Sequence, residues 1–312
     1  MIDATVIIAA WKAEQHLTRS VESALAQQNV NLEIIVIDDA SPDGTARKAR
    51  ELASRDARVS VLQLEANSGP ATARNAGLDA ARGKWIAVLD ADDAIKPGRL
   101  AAMIALAQEK GADAIFDALQ FADGSGRPGE IPRLAAPTSG APVPWTFDDF
   151  LAGNQAMPGR LSLGYLKPLM SRDFLDRHGL RYNTSLRNGE DFHLMLGMLF
   201  KGAQLWFLPE PGYLYTTRTG SVSNRLDPAH AQALAEADAD FLARNGPALS
   251  ASNAALIRRR QQRIANLAAA EAAMQALRAI RPGLAAARLI RRPQALARFC
   301  IQLGEALRQR LL

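Results

Sequence analysis

The sequence predicts an α/β fold: a mostly parallel, Rossmann-like sheet flanked by helices, with a basic helical extension at the C-terminal end. Three observations predict it. Through residue 121, short apolar, β-branched runs recur that are too continuous for half-exposed strands. They read as strands buried on both faces, the habit of parallel sheets. Helical patterns lie between them, which is the alternation of an α/β domain. From residue 226 the chain turns into helix rich in Ala, Leu and Arg.

The strand candidates are "TVIIAA", "LEIIVIDD", "RVSVLQL", "KWIAVLD" and "ADAIFDALQF", in that order. Between them, "EQHLTRSVESALAQQ" places Leu17, Val21, Ala24 and Leu25 on one helix face, and "PDGTARKARELASRD" and "GPATARNAGLDAARG" behave alike. Gly83 and Gly111 stand where helix C-terminal glycines belong. Residues 122–146, dense in Gly and Pro, read as a loop or crossover. "TFDDFLAG" and "SRDFLDRHG" read as short helices, each opened by an N-cap (Thr146, Ser171) and closed by a glycine (Gly153, Gly179). "GEDFHLMLGMLFKG" is a strongly apolar helix, and two strands follow, "AQLWFLP" and "GYLYTT". No internal repeat is visible.

The chain of 312 residues is 48% hydrophobic and 22% charged, an ordinary globular composition with enough length for real cores. The single Cys300 excludes an intramolecular disulfide, and no Cys/His cluster suggests zinc. A cytoplasmic location fits. "MIDATVIIAAWK" lacks the basic lead-in of a signal peptide, and no uncharged apolar stretch approaches the ~18 residues of a membrane span. The net charge of +5 hides an asymmetry. From residue 251 onward twelve arginines face only Glu271 and Glu305, or +10, which leaves −5 to residues 1–250. The two ends of the chain are built for different partners.

In a parallel α/β sheet, ligands sit beyond the carboxyl ends of the strands. Ala9-Ala10-Trp11 ends the first strand, Asp38-Asp39 the second and Asp90-Ala91-Asp92 the fourth. If these strands are neighbours, the three groups share one crevice. No G-x-G-x-x-G follows the first strand and no G-x-x-x-x-G-K-[ST] occurs, so neither dinucleotide nor P-loop chemistry is indicated. Asp90, Asp92 and Asp93 put three carboxylates into four positions, and like charges so close need a counter-charge. A divalent cation bridging carboxylate and diphosphate supplies it, because Mg²⁺ takes one or two carboxylates plus substrate phosphates. The expected cofactor is Mg²⁺ or Mn²⁺.

"TVIIAAWKAEQHLTRSVESALAQ", "EIIVIDDASPDGT", "NSGPATARNAG", "KWIAVLDADD" and "NGEDFHLML" occur in the order and spacing of family 2 glycosyltransferases of the GT-A fold, which the chain resembles over residues 4–225. The set is similar to bacterial enzymes that build exopolysaccharide and lipopolysaccharide. The resemblance implies a GT-A domain over 1–225, with a nucleotide-binding half (1–121) and an acceptor-side half (122–225), then the helical region 226–312. It also implies residue roles. Ala9, Ala10 and Trp11 would border the nucleobase, Trp11 standing where the family has an aromatic residue, commonly Tyr. Asp39 would accept the uracil imide N–H, which favours a UDP-sugar donor, and Asn67 belongs to the same donor site. Asp90 and Asp92 form the D-x-D pair, with Asp92 the direct metal ligand and Asp90 nearer ribose and sugar. Arg74 would support the donor and the acidic cluster. Asp191 matches the catalytic base, with Glu190 beside it near the acceptor. Arg218 and Ser221 would close a loop over the diphosphate. The partners implied are a nucleotide-sugar and a glycan or lipid-linked acceptor, without nucleic acid. The basic tail, with Ile257, Ile264, Leu267 and Met274 along one helix face, suits peripheral contact with an anionic membrane.

Plainer readings exist for several of these residues. Asp90, Asp92 and Asp93 also suit a helix N-terminus opening "DDAIKPGRL". Asp38 and Asp39 suit a turn before "SPDGT", and Trp11 a cap on the sheet. Asp191 suits the positive end of its own helix. His193, two residues on, points to another face, and Lys167 touches either the acceptor or the surface. The tail helices could equally pack on the protein. A glycoside hydrolase also needs two carboxylates, but not a nucleobase shelf. A nucleotide-sugar-binding or scaffolding subunit would keep the fold without turnover, yet would not require a base at Asp191.

Overall fold

Seven uncharged residues, Ala4–Ala10, form β1, and β2 (Leu32–Asp38) runs parallel beside it, buried at every position. β3 (Val59–Gln63) pairs with β2, and β4 (Trp85–Val88) with β1, both in parallel. In this computed structural model residues 1–138, 140–155, 160–217 and 227–311 are described, the last seven by backbone alone. They fall into two units, Met1–Thr219 and Gly220–Leu312.

The sheet of the first unit has the order β3-β2-β1-β4-β8-β6-β9-β5, with β7 paired to β9. Its remaining strands are β5 (Ala94–Ile95), β6 (Ala114–Ala122), β7 (Val143–Trp145), β8 (Leu169–Ser171) and β9 (Leu205–Thr216). β8 is antiparallel to both β4 and β6, β6 and β9 are parallel, and β5 and β7 run antiparallel to β9. The first, second and fourth strands are therefore neighbours, as the shared crevice requires. Helices α1 (Leu17–Leu25), α2 (Thr45–Arg55), α3 (Pro70–Ala80), α4 (Arg99–Lys110), α5 (Phe147–Gly153), α6 (Arg172–Arg177) and α7 (Glu190–Phe200) flank the sheet. The approach of α3 is close: a Cβ on Gly77 would stand 2.6 Å from Ile7 Cγ2. An aromatic stack joins β6, α5 and α7, with Phe116 on Phe150 and Phe150 on Phe192, and Trp145 of β7 stacks on Phe207 of β9, at centroid distances of 6.4, 5.4 and 4.5 Å.

Four sequence expectations are corrected. Gly83 is not a helix-closing glycine: α3 ends at Ala80, and a Cβ on Gly83 would lie 2.5 Å from the β1 backbone at Ala4 and Thr5, so the position is set by close approach. The two strands expected over 203–217 are one, β9, whose register against β6 shifts around Ala118. Pro209 and Pro211 fall where that ladder is interrupted, the place a sheet tolerates proline. The loop 122–146 contains a strand, β7. Asp90, Asp92 and Asp93 open no helix, since β5 intervenes and α4 begins at Arg99 with Gly98 as its cap.

The second unit is helical: α8 (Pro228–Asn245), α9 (Ala251–Arg278), α10 (Pro282–Arg291) and α11 (Leu296–Leu311). Of the apolar stripe of α9, Ile257, Ile264 and Met274 are buried and Leu267 is half-buried. Arg260, on the same helix, is buried in an ion pair with Asp238 of α8. Small residues let the later helices close on α9: Ala270, Ala273, Met274 and Ala276 form a core with Ala285, Ala295 and Phe299.

Candidate active site

β1 and β2 end side by side, with Ala10 paired to Asp38 and the Asp39 N–H donating to the Ala10 carbonyl at 2.9 Å. Lys12 and Ala40 follow with φ of 51°, so both strands leave the sheet through left-handed, strained residues. Ala9 is half-buried and Ala10 buried, while Trp11 is 49% exposed. Its ring lies under the Lys12 ammonium, 4.4 Å from the centroid. Trp11 is thus an open aromatic face at the strand ends, not a cap on the sheet.

Asp39 is buried, and the "NSG" turn ahead of α3 holds it. The Ser68 N–H donates to Oδ1 at 2.7 Å, and the Gly69 N–H and Asn67 Nδ2 donate to Oδ2 at 2.8 and 3.0 Å. Three donors occupy a group with about four acceptor sites. Arg187 in turn donates to the Asn67 side chain at 2.8 Å, tying this turn to the segment that precedes α7. Asp38 beside it is fully buried; the Ser41 N–H donates to Oδ2, and Oδ1 has no partner among the described residues.

The second cluster gathers around Arg74 of α3 and Lys167, both buried. Arg74 donates to Asp90 Oδ1 at 2.8 Å, to Asp191 Oδ1 at 3.2 Å and to Glu190. Lys167 Nζ lies 2.7 Å from Asp191 Oδ2 and 3.0 Å from Asp90 Oδ2. Asp90, at the end of β4, and Asp191, in the first turn of α7, therefore give one oxygen each to the same two cations. Burial would raise the Asp90 carboxyl, but Lys167 and Arg74 outweigh it and hold the group down at about 2. Burial likewise opposes the charged Lys167 and Arg74, yet Asp191 and its acidic neighbours hold both above their usual range. Each cation is thus stabilised in place by the carboxylates it joins.

Positioning is explicit for both sides. Arg99 clasps Asp117 with two bonds of 2.8 Å and donates a third, of 2.6 Å, to the Lys167 carbonyl, fixing the backbone from which the ammonium projects. The aromatic stack ends in Phe192, the residue after Asp191, so the first turn of α7 is anchored by packing. Gly189 precedes that turn at φ 73°, a conformation suited to glycine. His193 meets the Phe192 ring edge-on and lies half-buried on another face.

Asp93 is a strut. The Tyr213 hydroxyl donates to it at 2.7 Å and the Thr216 N–H at 2.7 Å, joining the β4–β5 turn to the end of β9. Burial and the charge of Asp90 push its carboxyl up to about 7. Asp92 stands half-buried between Asp90 and Asp93. No group of three His, Cys, Asp or Glu side chains able to hold a metal occurs among the described residues. Asp90 and Asp92 fit a Mg²⁺ or Mn²⁺ ion that takes its other ligands from substrate phosphates and water. Both oxygens of Asp90 also face the Arg74 and Lys167 cations.

Of the residues singled out in the sequence, Ala10 lies beside Asp38 and Asp39 at the ends of β1 and β2, Asn67 bonds to Asp39, and Ala9 and Trp11 flank Ala10. Arg74 joins Asp90, Glu190 and Asp191, and Asp92 follows Asp90 half-buried. Arg218 and Ser221 lie outside the described residues. Sequence reasoning underrated Lys167. A lone Lys before Pro168 carries no spacing signal, and only the antiparallel return of β8 beside β4 brings it to Asp90. Tyr182, also missed, lies under Arg74 with its ring centroid 5.6 Å away.

A model of glycosyl transferase family 2 matches residues 5–162. The succinoglycan biosynthesis protein ExoO of Rhizobium meliloti (strain 1021) is 40% identical over 243 residues, covering 78% of this chain and 68% of that protein. S. aureus TarS 1-349 in complex with UDP-GlcNAc superposes with a TM-score of 0.63 at 16% identity, over 91% of this chain and 89% of that one. The mannosyltransferase PcManGT from Pyrobaculum calidifontis, in complex with GDP-Man and Mn²⁺, gives 0.58 at 18% identity over 97% and 80%. These structures share the fold.

Proposed function

The chain belongs to glycosyl transferase family 2, and from that membership we propose that this glycosyltransferase inverts the anomeric centre as it moves a sugar from a UDP-sugar to a hydroxyl of a glycan or lipid-linked oligosaccharide in bacterial exopolysaccharide synthesis. The observation that carries the reading is the pair of cations shared by Asp90 and Asp191. It joins Asp191, which would serve the acceptor, to the same two cations as Asp90, which would serve the donor.

Trp11 offers its open face to the uracil, a stacking contact worth roughly 1–3 kcal/mol. Asp39, rigid in the "NSG" turn, has an acceptor site left for the imide N–H. Asp90 and Asp92 would hold Mg²⁺ or Mn²⁺, which supplies Lewis-acid stabilisation of the departing diphosphate. Asp191 takes the proton of the acceptor hydroxyl, a contribution of about 10²–10⁴ in rate. The acceptor oxygen forms its bond to the anomeric carbon from the face opposite the diphosphate as the carbon–oxygen bond to UDP breaks. An α-linked donor gives a β-linked product. Arg74 and Lys167 keep Asp191 turned toward the crevice, and Glu190 lies beside the entering acceptor.

A thermal-shift panel of UDP-, GDP- and dTDP-sugars with and without Mn²⁺ tests the donor assignment, because a ligand of the folded state raises apparent stability. UDP-sugars with Mn²⁺ should give the largest rise, and Asp92→Asn should abolish it without unfolding the protein. An equal UDP response in EDTA would contradict the metal assignment.

A further inference from the structure

The second unit carries a surface that the transfer chemistry does not use. Of the eight exposed large hydrophobic side chains among the described residues, five lie between 280 and 301: Ile280, Leu284, Ile290, Leu296 and Ile301. Ile280 and Ile290 are 88% and 76% exposed. Ile280 occupies the turn between α9 and α10 at φ 56°, where the Arg281 N–H donates back to the Ala276 carbonyl at 2.8 Å. That turn normally takes glycine, and a β-branched residue with positive φ is an outlier. The chain thus accepts strain to hold an isoleucine in solvent.

The two helices that follow continue the pattern. Leu284, Ala287 and Ile290 line the outer side of α10, and Leu296, Ala297, Cys300 and Ile301 are all exposed on α11. Around them stand Arg278, Arg281, Arg288, Arg291 and Arg298, all exposed, and no acidic residue lies between Glu271 and Glu305. Of these five, Arg278 alone reaches a carboxylate among the described residues, Glu271 at 3.7 Å. No helix among the described residues is long and apolar enough to cross a membrane.

We propose that the α9–α10 turn, α10 and the start of α11 form a surface that seats on an anionic lipid bilayer, the isoleucines and leucines entering the interface and the arginines meeting lipid phosphates. Charge complementarity selects this occupant. A second copy of the chain, packed on the same face about a two-fold axis, would set these arginines against one another. A bilayer of anionic headgroups neutralises them while taking up the apolar side chains. The surface differs from the stripe that periodicity alone suggested on α9, three of whose four residues are buried.

The single cysteine makes the test site-specific, since Cys300 lies exposed on α11. The full chain is labelled there with an environment-sensitive thiol fluorophore and titrated with vesicles of equimolar phosphatidylglycerol and phosphatidylcholine, or of phosphatidylcholine alone. Unlabelled protein is sedimented with the same vesicles. A blue shift and co-sedimentation with the anionic vesicles only, weakened by salt, are expected. Arg288→Gln, Arg291→Gln and Arg298→Gln should each lower the vesicle affinity about fivefold. Ile290→Glu should abolish the shift, with far-UV circular dichroism unchanged. Equal response to both vesicle types, or none to either, would overturn the proposal. So would a shift that depends on protein concentration without lipid, which would identify a second copy as the occupant.

Discussion

At the scale of single residues, the site works by sharing. Arg74 pairs with Asp90, Glu190 and Asp191, and Lys167 with Asp90 and Asp191, so neither cation can be removed without disturbing both Asp90 and Asp191. Lys167→Met keeps the volume and deletes the charge. It should lower kcat by on the order of a hundredfold with a smaller change in donor KM, because Asp191 loses its shorter contact while Asp90 keeps Arg74 at 2.8 Å. Lys167→Arg should restore part of the rate, since a cation again lies between Asp90 and Asp191. Unchanged kcat in Lys167→Met would reduce the residue to a packing role. Asp93 shows the reverse economy: it sits beside Asp92 in sequence, yet its oxygens are taken by Tyr213 and Thr216, so it braces the turn that presents its neighbours.

At the scale of elements, the sheet shows how buried carboxylates fix strand ends. Glu33 of β2 is buried, accepting from the Thr5 hydroxyl at 2.7 Å, the Arg82 N–H at 2.7 Å and the Arg82 guanidinium. Burial alone would raise its carboxyl, but the Thr5 and Arg82 bonds outweigh it and lower the group below its ordinary 4.5. The folded state then binds protons less readily than the unfolded state. The stabilisation is present above about 4.5 and is lost as pH falls through the lowered folded value. Glu33→Gln should cost about 1–3 kcal/mol near neutrality and progressively less in acid, measured by urea unfolding across pH. A cost that does not vary with pH would contradict it. The strands that carry such groups were legible because parallel burial makes them continuous apolar runs. The β6–β9 ladder was not, since Pro209 and Pro211 read as breaks and only pairing to β6 spans them. Asp39, Asp90 and Asp191 were legible as acids at element ends. Lys167 and the Arg99–Asp117 clasp depend on contacts distant in sequence, for which one chain carries no pattern.

At the scale of the whole molecule, the sequence divides its charge, −5 through residue 250 and +10 after it. The division into two units falls earlier, at Thr219, so that α8 belongs to the second unit but precedes its arginine-rich part. The basic unit nonetheless spends one of its arginines internally. Arg260 is buried against Asp238, and removing it alone would take the cation from a buried ion pair. Arg260→Met should cost about 3–5 kcal/mol, and adding Asp238→Leu should recover most of that loss, because an apolar pair avoids the desolvation of both ions. Thermal melts of the single and double variants measure it. Equal stability of the two variants would contradict a coupled pair.

We infer that Asp191, which shares two cations with Asp90, is the base for sugar transfer. Asp191→Asn tests it most directly, since the amide is nearly isosteric but takes no proton. UDP-sugar binding with Mn²⁺, measured by calorimetry, and release of UDP in the presence of acceptor should be followed on the same preparation. Donor affinity should stay close to that of the unaltered protein and turnover should fall by about two decades or more. Turnover near normal in Asp191→Asn would contradict it and move the base elsewhere, Glu190 being the first residue to examine.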